Sequence, residues 1–181
     1  MGFLAAGRNL ENTLAVLIFI ARLGDIGSTY LATPTLKMES NPLMRFGGWK
    51  LAILTLFACL IPYYDAPLGL TMLVLSLLVT GSNLSKGWLM RALGEADYQA
   101  MLRMAAGRSS LPEAVGFVIG GAASVGFAGA VMMFASGGPN TWGYWAASGV
   151  ALYALAIGFY GALSAVRLFR WTAASPSSAG E

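Results

Sequence analysis

The sequence predicts an all-α polytopic membrane protein, a bundle of about five transmembrane helices with one short amphipathic helix at the membrane interface. Three observations predict it. Of the 181 residues, 57% are hydrophobic and only 10% charged, against about 25% charged in an ordinary soluble domain, and the mean hydropathy is +0.67. The apolar residues fall into runs long enough to cross a bilayer, roughly 20 residues each, separated by short polar turns. The basic residues gather on alternate connections, the pattern that orients helices during membrane insertion.

The same composition narrows the function. The net charge of +3 comes without a run of basic residues, so it reads as basic cytoplasmic loops and no nucleic-acid partner is expected. Histidine is absent, which removes His-based zinc, haem and catalytic-triad chemistry together. The single cysteine, Cys59, lies inside an apolar run and reads as a packing residue. No cofactor and no metal site are expected, and the first partner of such a chain is the lipid bilayer.

The first span is read at residues 12–31. Its apolar core runs on into Arg22 and Asp25 with no small-residue cleavage pattern, so it reads as a retained helix and not a cleaved signal. Arg22, Asp25 and Thr29 stand at i, i+3 and i+7 and share one helical face. Charges facing lipid are expensive, so that face should look into the bundle.

A polar link with Pro34, Lys37 and Glu39 follows. Asn41-Pro42 gives a favoured N-cap and a favoured first helical residue, which starts the second span and carries it to about residue 62. An unbroken helix from there sets Lys50 roughly 12 Å along it. Lys50 then either reaches back toward Asp25 and Glu39 or snorkels to the surface beside Trp49. Residues 63–67 form a turn with interfacial tyrosines. The third span covers about 68–90, with a polar end at 81–86 in which Asn83 is the residue of interest.

Residues 94–106 place Tyr98, Met101, Leu102 and Ala105 on one stripe and Glu95, Gln99 and Arg103 on another, the pattern of an amphipathic helix at the membrane surface. The fourth span is read at 112–135, with Pro112 at its mouth and Glu113 in its first turn. Two stripes of small residues run along it, Gly116, Gly120 and Ser124, and Ala122, Gly126 and Ala130. The fifth span, about 141–169, opens with Trp142, Tyr144 and Trp145 and carries a further small stripe from Ala147 to Ala165. Such faces favour close helix packing, within the bundle or with a second copy or another membrane protein. Residues 1–172 read as one domain, and 173–181 as a disordered cytoplasmic tail. The positive-inside rule puts the N-terminus outside and the C-terminus in the cytoplasm, in what reads as a prokaryotic inner membrane.

Asp25 and Thr29, then Glu39, Asn41, Pro42 and Leu43, then Lys50, make the pattern D-x-x-x-T … E-x-N-P-L … K. It resembles a family of small bacterial and archaeal membrane proteins known only as a domain of unknown function. The resemblance covers roughly residues 12–85 and leaves out the last two spans, the amphipathic segment and Arg22. It implies that the pattern residues act as one unit and brings no reaction, substrate or cofactor.

The candidate polar-site residues are therefore Arg22, Asp25, Thr29, Glu39, Asn41, Lys50 and Asn83, with Asp25, Glu39 and Lys50 expected to converge. A scaffold or assembly role is the first reading, the polar cluster holding helices in register. A small ion- or proton-coupled transporter is the alternative. An intramembrane enzyme using Asp25 and Glu39 as an acid/base pair on a lipid or peptide is the third, and two carboxylates without a histidine make an enzyme the weakest of these.

Overall fold

The computed structural model describes residues 2–36, 39 and 41–174, and the side chains of all of these except 2–8, 42, 43 and 174. Lys37, Ser40 and the tail from 175 onward lie outside the described residues. The elements are α1 (Gly2–Ala32), α2 (Pro42–Leu54), a 3-10 stretch (Thr55–Leu60), α3 (Ile61–Tyr64), α4 (Ala66–Gly107), α5 (Leu111–Ala135) and α6 (Trp142–Ala174). The described residues contain no strand. Five helical stretches are long and apolar enough to cross a membrane: Asn9–Ala32, Met44–Tyr64, Ala66–Gly107, Leu111–Ala135 and Trp142–Ala173.

α4 is the centre of the bundle. It packs on α1 along one side and on α6 along another, and α5 covers α6. The second span rests on α1 through its 3-10 stretch, and α3 touches both α1 and α4. Leu14, Ile18 and Ala21 of α1 form the apolar centre with Leu73 of α4, and Cys59 packs against them. Large apolar side chains stay exposed on the outside, Phe46 and Phe134 almost completely. Such a surface suits lipid, in which apolar exposure carries no penalty.

The second span departs from the continuous helix that the sequence suggests. Gly48 has φ 59° and ψ −158°, outside helical geometry, and the six residues Thr55–Leu60 form a 3-10 helix. Pro62 supplies a reason for the second irregularity. Its ring clashes with the carbonyl of residue 58 and it has no N–H to donate, so a regular helix cannot run through the preceding turn.

The third span also differs from its expected end near residue 90. α4 runs for 42 residues, about 63 Å at 1.5 Å each, roughly twice the hydrocarbon thickness. It is broken at Gly94, where φ 78° and ψ 159° suit glycine alone. The segment expected to be a separate amphipathic helix therefore follows a sharp break in a longer one. Beyond the break, the Arg103 guanidinium lies 3.5 Å over the Trp171 ring of α6, a cation–π contact that ties the segment to the end of the last helix.

Helix starts follow capping chemistry. The Asp65 side chain accepts from the Leu68 N–H at 2.7 Å and caps α4. Ser110 and Glu113 close a capping box at α5, each side chain accepting from the other's N–H at 3.4 Å.

Small residues set the helix spacing. A Cβ on Gly149 would lie 2.7 Å from the Thr71 carbonyl oxygen, and one on Gly129 would lie 3.0 Å from the Ala151 nitrogen. Thr71 adds a hydrogen bond across the same α4–α6 contact, its Oγ1 donating to the Trp145 carbonyl at 2.8 Å. Gly149→Ala should force α4 and α6 apart and cost about 1–3 kcal/mol, the usual range for overpacking. Gly120→Ala, where nothing stands within 4 Å, should leave the denaturant midpoint in micelles unchanged. Equal midpoints for the two variants would contradict this packing.

Candidate functional site

Helical periodicity brings Arg22, Asp25 and Thr29 onto the α1 face that meets α4. The approach is close because Gly24 has no side chain: a Cβ there would stand 3.3 Å from Thr80 Cγ2. Thr80 Oγ1 in turn donates to the Ala21 carbonyl at 3.3 Å. One turn further along α4 stands Asn83.

These residues form one connected polar clamp. Arg22 Nη1 donates to Asp25 Oδ2 at 2.8 Å. Asn83 Nδ2 donates to Asp25 Oδ1 at 3.2 Å and to Thr29 Oγ1 at 3.0 Å. Ser28 Oγ donates to the Asp25 carbonyl at 2.9 Å. Both carboxylate oxygens thus have donors, one from α1 and one from α4. Asp25 is 8% exposed and Thr29 9%. At this burial bulk water does not compete for these bonds, so the carboxylate needs such partners. Among the described residues Arg22 Nε is buried without a hydrogen-bond partner.

A second cluster lies toward the end of α1, and the sequence reading missed it. Glu95, the first residue after the Gly94 break, reaches back to the turn that follows α1. Its Oε1 accepts from Thr33 Oγ1 at 3.1 Å and from the Thr35 N–H at 3.4 Å, and its Oε2 accepts from Thr35 Oγ1 at 2.6 Å. Trp49 holds the same turn from the other side, its Nε1 donating to the Pro34 carbonyl at 3.3 Å. The Trp49 ring meets Tyr30 edge-on at 5.5 Å.

That turn carries Leu36 in the left-handed region, φ 56°. A leucine there costs about 1–3 kcal/mol and persists only where the surroundings hold it. Leu36 is buried, 9% exposed. Together with Asp25, Ile26, Thr29, Gly48, Trp49 and others it lines a space of about 10 Å³, close to the smallest that holds one water.

The sequence candidates divide accordingly. Arg22, Asp25, Thr29 and Asn83 are joined by hydrogen bonds. Glu39 Oε1 accepts from the Asn41 N–H at 2.9 Å at the start of α2. Lys50 is exposed and makes no ion pair with Asp25 or Glu39 among the described residues. The expected place of Lys50 beside Asp25 and Glu39 is corrected here. The break at Gly48 removes the continuous register on which Lys50 was placed, and Trp49, not Lys50, takes the inward position.

Glu95 carried one available signal, its place directly after a glycine inside a long helical pattern. The Gly47-Gly48 pair was a similar signal for the break in α2. No group of three or more His, Cys, Asp or Glu side chains gathers among the described residues.

Asp25→Asn removes the charge opposite a largely buried guanidinium and should destabilise by about 3 kcal/mol, the lower end for breaking a buried pair. Asn83→Ala should cost about 1 kcal/mol, typical of an interhelical bond in a membrane protein. Lys50→Ala should stay within about 0.5 kcal/mol of the parent. Denaturant unfolding in micelles ranks the three, and a Lys50 effect as large as that of Asp25 would count against the clamp.

The comparisons add no relative on which a role for these residues could rest: no protein-family model matches the chain, and no curated protein or solved structure matches it.

Proposed function

We propose that the protein is a non-catalytic scaffold or assembly factor of the membrane, with the Arg22–Asp25–Asn83–Thr29 clamp fixing α1 against α4. The observation that carries this reading is that both Asp25 oxygens are taken up by donors from the two helices. A carboxylate so engaged serves register and specificity. The outward face of α5 supports the reading further. Gly116 and Gly120 have nothing within 4 Å, and Ser124 beside them is exposed. A neighbouring transmembrane helix, including that of a second copy, would approach closely there. The resemblance to the small D-x-x-x-T … E-x-N-P-L … K family belongs to the same proposal and rests on the sequence pattern alone.

A proton- or cation-binding transporter is the second reading. It draws on the broken second span beside a buried carboxylate, since interrupted helices line the ion sites of many transporters. The enzyme reading has less support, because Glu39 does not line the space at Asp25. Reconstituted protein distinguishes the two leading readings. A scaffold should self-associate or capture a membrane partner, lose this on Gly120→Leu, and carry no ion flux in liposomes. Proton- or cation-dependent flux abolished by Asp25→Asn would overturn it.

The orientation belongs to the same proposal: a prokaryotic inner membrane, N-terminus outside, C-terminus cytoplasmic, and residues 95–107 along the cytoplasmic surface. Its support is the distribution of lysine and arginine and the Arg103–Trp171 contact beyond the Gly94 break. Single cysteines at 65 and 103 should react with impermeant reagents from opposite sides, and spin labels should report water at Gln99 and lipid at Leu102. Same-side labelling would refute the orientation, and bulk water at both spin-labelled positions would refute the surface helix.

A further inference from the structure

We propose that the space beside Asp25 is a gated site for one water-sized hydrogen-bond donor, with the Thr33–Leu36 turn as its plug and Glu95 as the latch that holds the plug shut. This stands whether or not the clamp serves assembly.

The site has polar groups to offer. Asp25 and Thr29 present the polar side chains of its wall, and Ile26, Leu36, Met44 and Ala52 are among the apolar ones. Gly48, also in the wall, has non-helical dihedrals, and a non-helical residue interrupts the backbone ladder around it. Backbone groups freed at membrane depth need partners, and broken helices are tolerated where they line a polar space. A volume of about 10 Å³ admits one water and nothing as large as a metabolite. A small donor there would bond to the carboxylate and hydroxyl on one side and to the broken helix on the other.

The plug is recognisable by its strain. Leu36 adopts a left-handed conformation, φ 56°, yet is buried against this space. A solvated turn would relax out of that conformation, so something must hold it. Glu95 does so from α4 through Thr33 and Thr35, and Trp49 does so from α2 through Pro34. The two holding residues each follow a glycine with positive φ, Gly94 and Gly48. A hinge sits beside each fastening, so the fastenings can part while α1 and α4 stay clamped at Asp25 and Asn83.

The test uses the full chain in micelles with a water-soluble carbodiimide and an amine nucleophile, and mass spectrometry of the peptides reads which carboxyls are modified. In the parent, Asp65 should be modified and Asp25 should resist. Glu95→Ala releases the latch and Leu36→Gly removes the plug. Glu95→Ala should raise Asp25 modification at least about tenfold, the effect of losing one or more bonds to a charged group, and Leu36→Gly should raise it by opening the wall of the space, with Asp65 unchanged in both. Asp25 modification equal to that of the parent in both folded variants would overturn the proposal, as would ready modification of Asp25 in the parent. A crystal structure of the parent at a resolution that shows waters tests the occupant without any variant. A density peak within hydrogen-bond distance of the Asp25 carboxylate or Thr29 Oγ1 in this space is expected, and a dry space would overturn the site.

Discussion

The carboxylate of Asp25 constrains everything around it. Asp25 is 8% exposed on a helix long and apolar enough to cross a membrane, so bulk water does not solvate it and the protein must supply donors from its own helices. Arg22 supplies one from a turn earlier on α1, and Asn83 supplies the other from α4. Once Asn83 is bound in this way, the register of α1 on α4 is set, because Thr29 must also lie within reach of the same amide. Small residues then let the backbones come close enough for these short side chains to meet. Gly24 faces Thr80, and Gly87 faces Ala32, where a Cβ would lie 3.3 Å from the Ala32 Cβ.

The two sides of α4 are fastened differently. Toward α1 the contact is polar and specific. Toward α6 it depends on close approach at Gly149 and on one threonine hydroxyl. The α5–α6 contact is closer still to pure packing, with Gly126, Gly129 and Gly158 each facing an alanine or its backbone. Dispersion and geometry hold membrane helices together in the absence of a hydrophobic drive. The polar fastening is concentrated where the second span is broken, so the least regular part of the fold borders its most specific contact.

The glycine breaks give that region its shape. Gly48 and Gly94 interrupt long helices at positions directly before Trp49 and Glu95. Each following side chain then turns back onto the link after α1. The link is therefore held from two helices, directly before the left-handed Leu36. Lys50 falls on the outer side of the same break and is left exposed.

The sequence by itself determined that five stretches are long and apolar enough to cross a membrane, because length and hydropathy are properties of local runs and need no tertiary contact. It also determined that Arg22, Asp25 and Thr29 share a face, since helical periodicity is local too. Asn83 was legible as a polar residue out of place near the end of an apolar run. What joined it to Asp25 and Thr29 was the packing of α1 on α4, a contact across 58 residues of chain. The tertiary structure alone decided the rest. Glu95 looked like part of a solvated helical face, and only the fold brought it to Thr33 and Thr35, more than 60 residues away in one case. Lys50 was placed by counting along a regular helix, and counting fails wherever a glycine takes a conformation that no other residue favours. Periodicity carries information along a helix only as far as its next break. The partners of a buried charge are chosen by which helices pack, and neighbouring residues do not encode that choice.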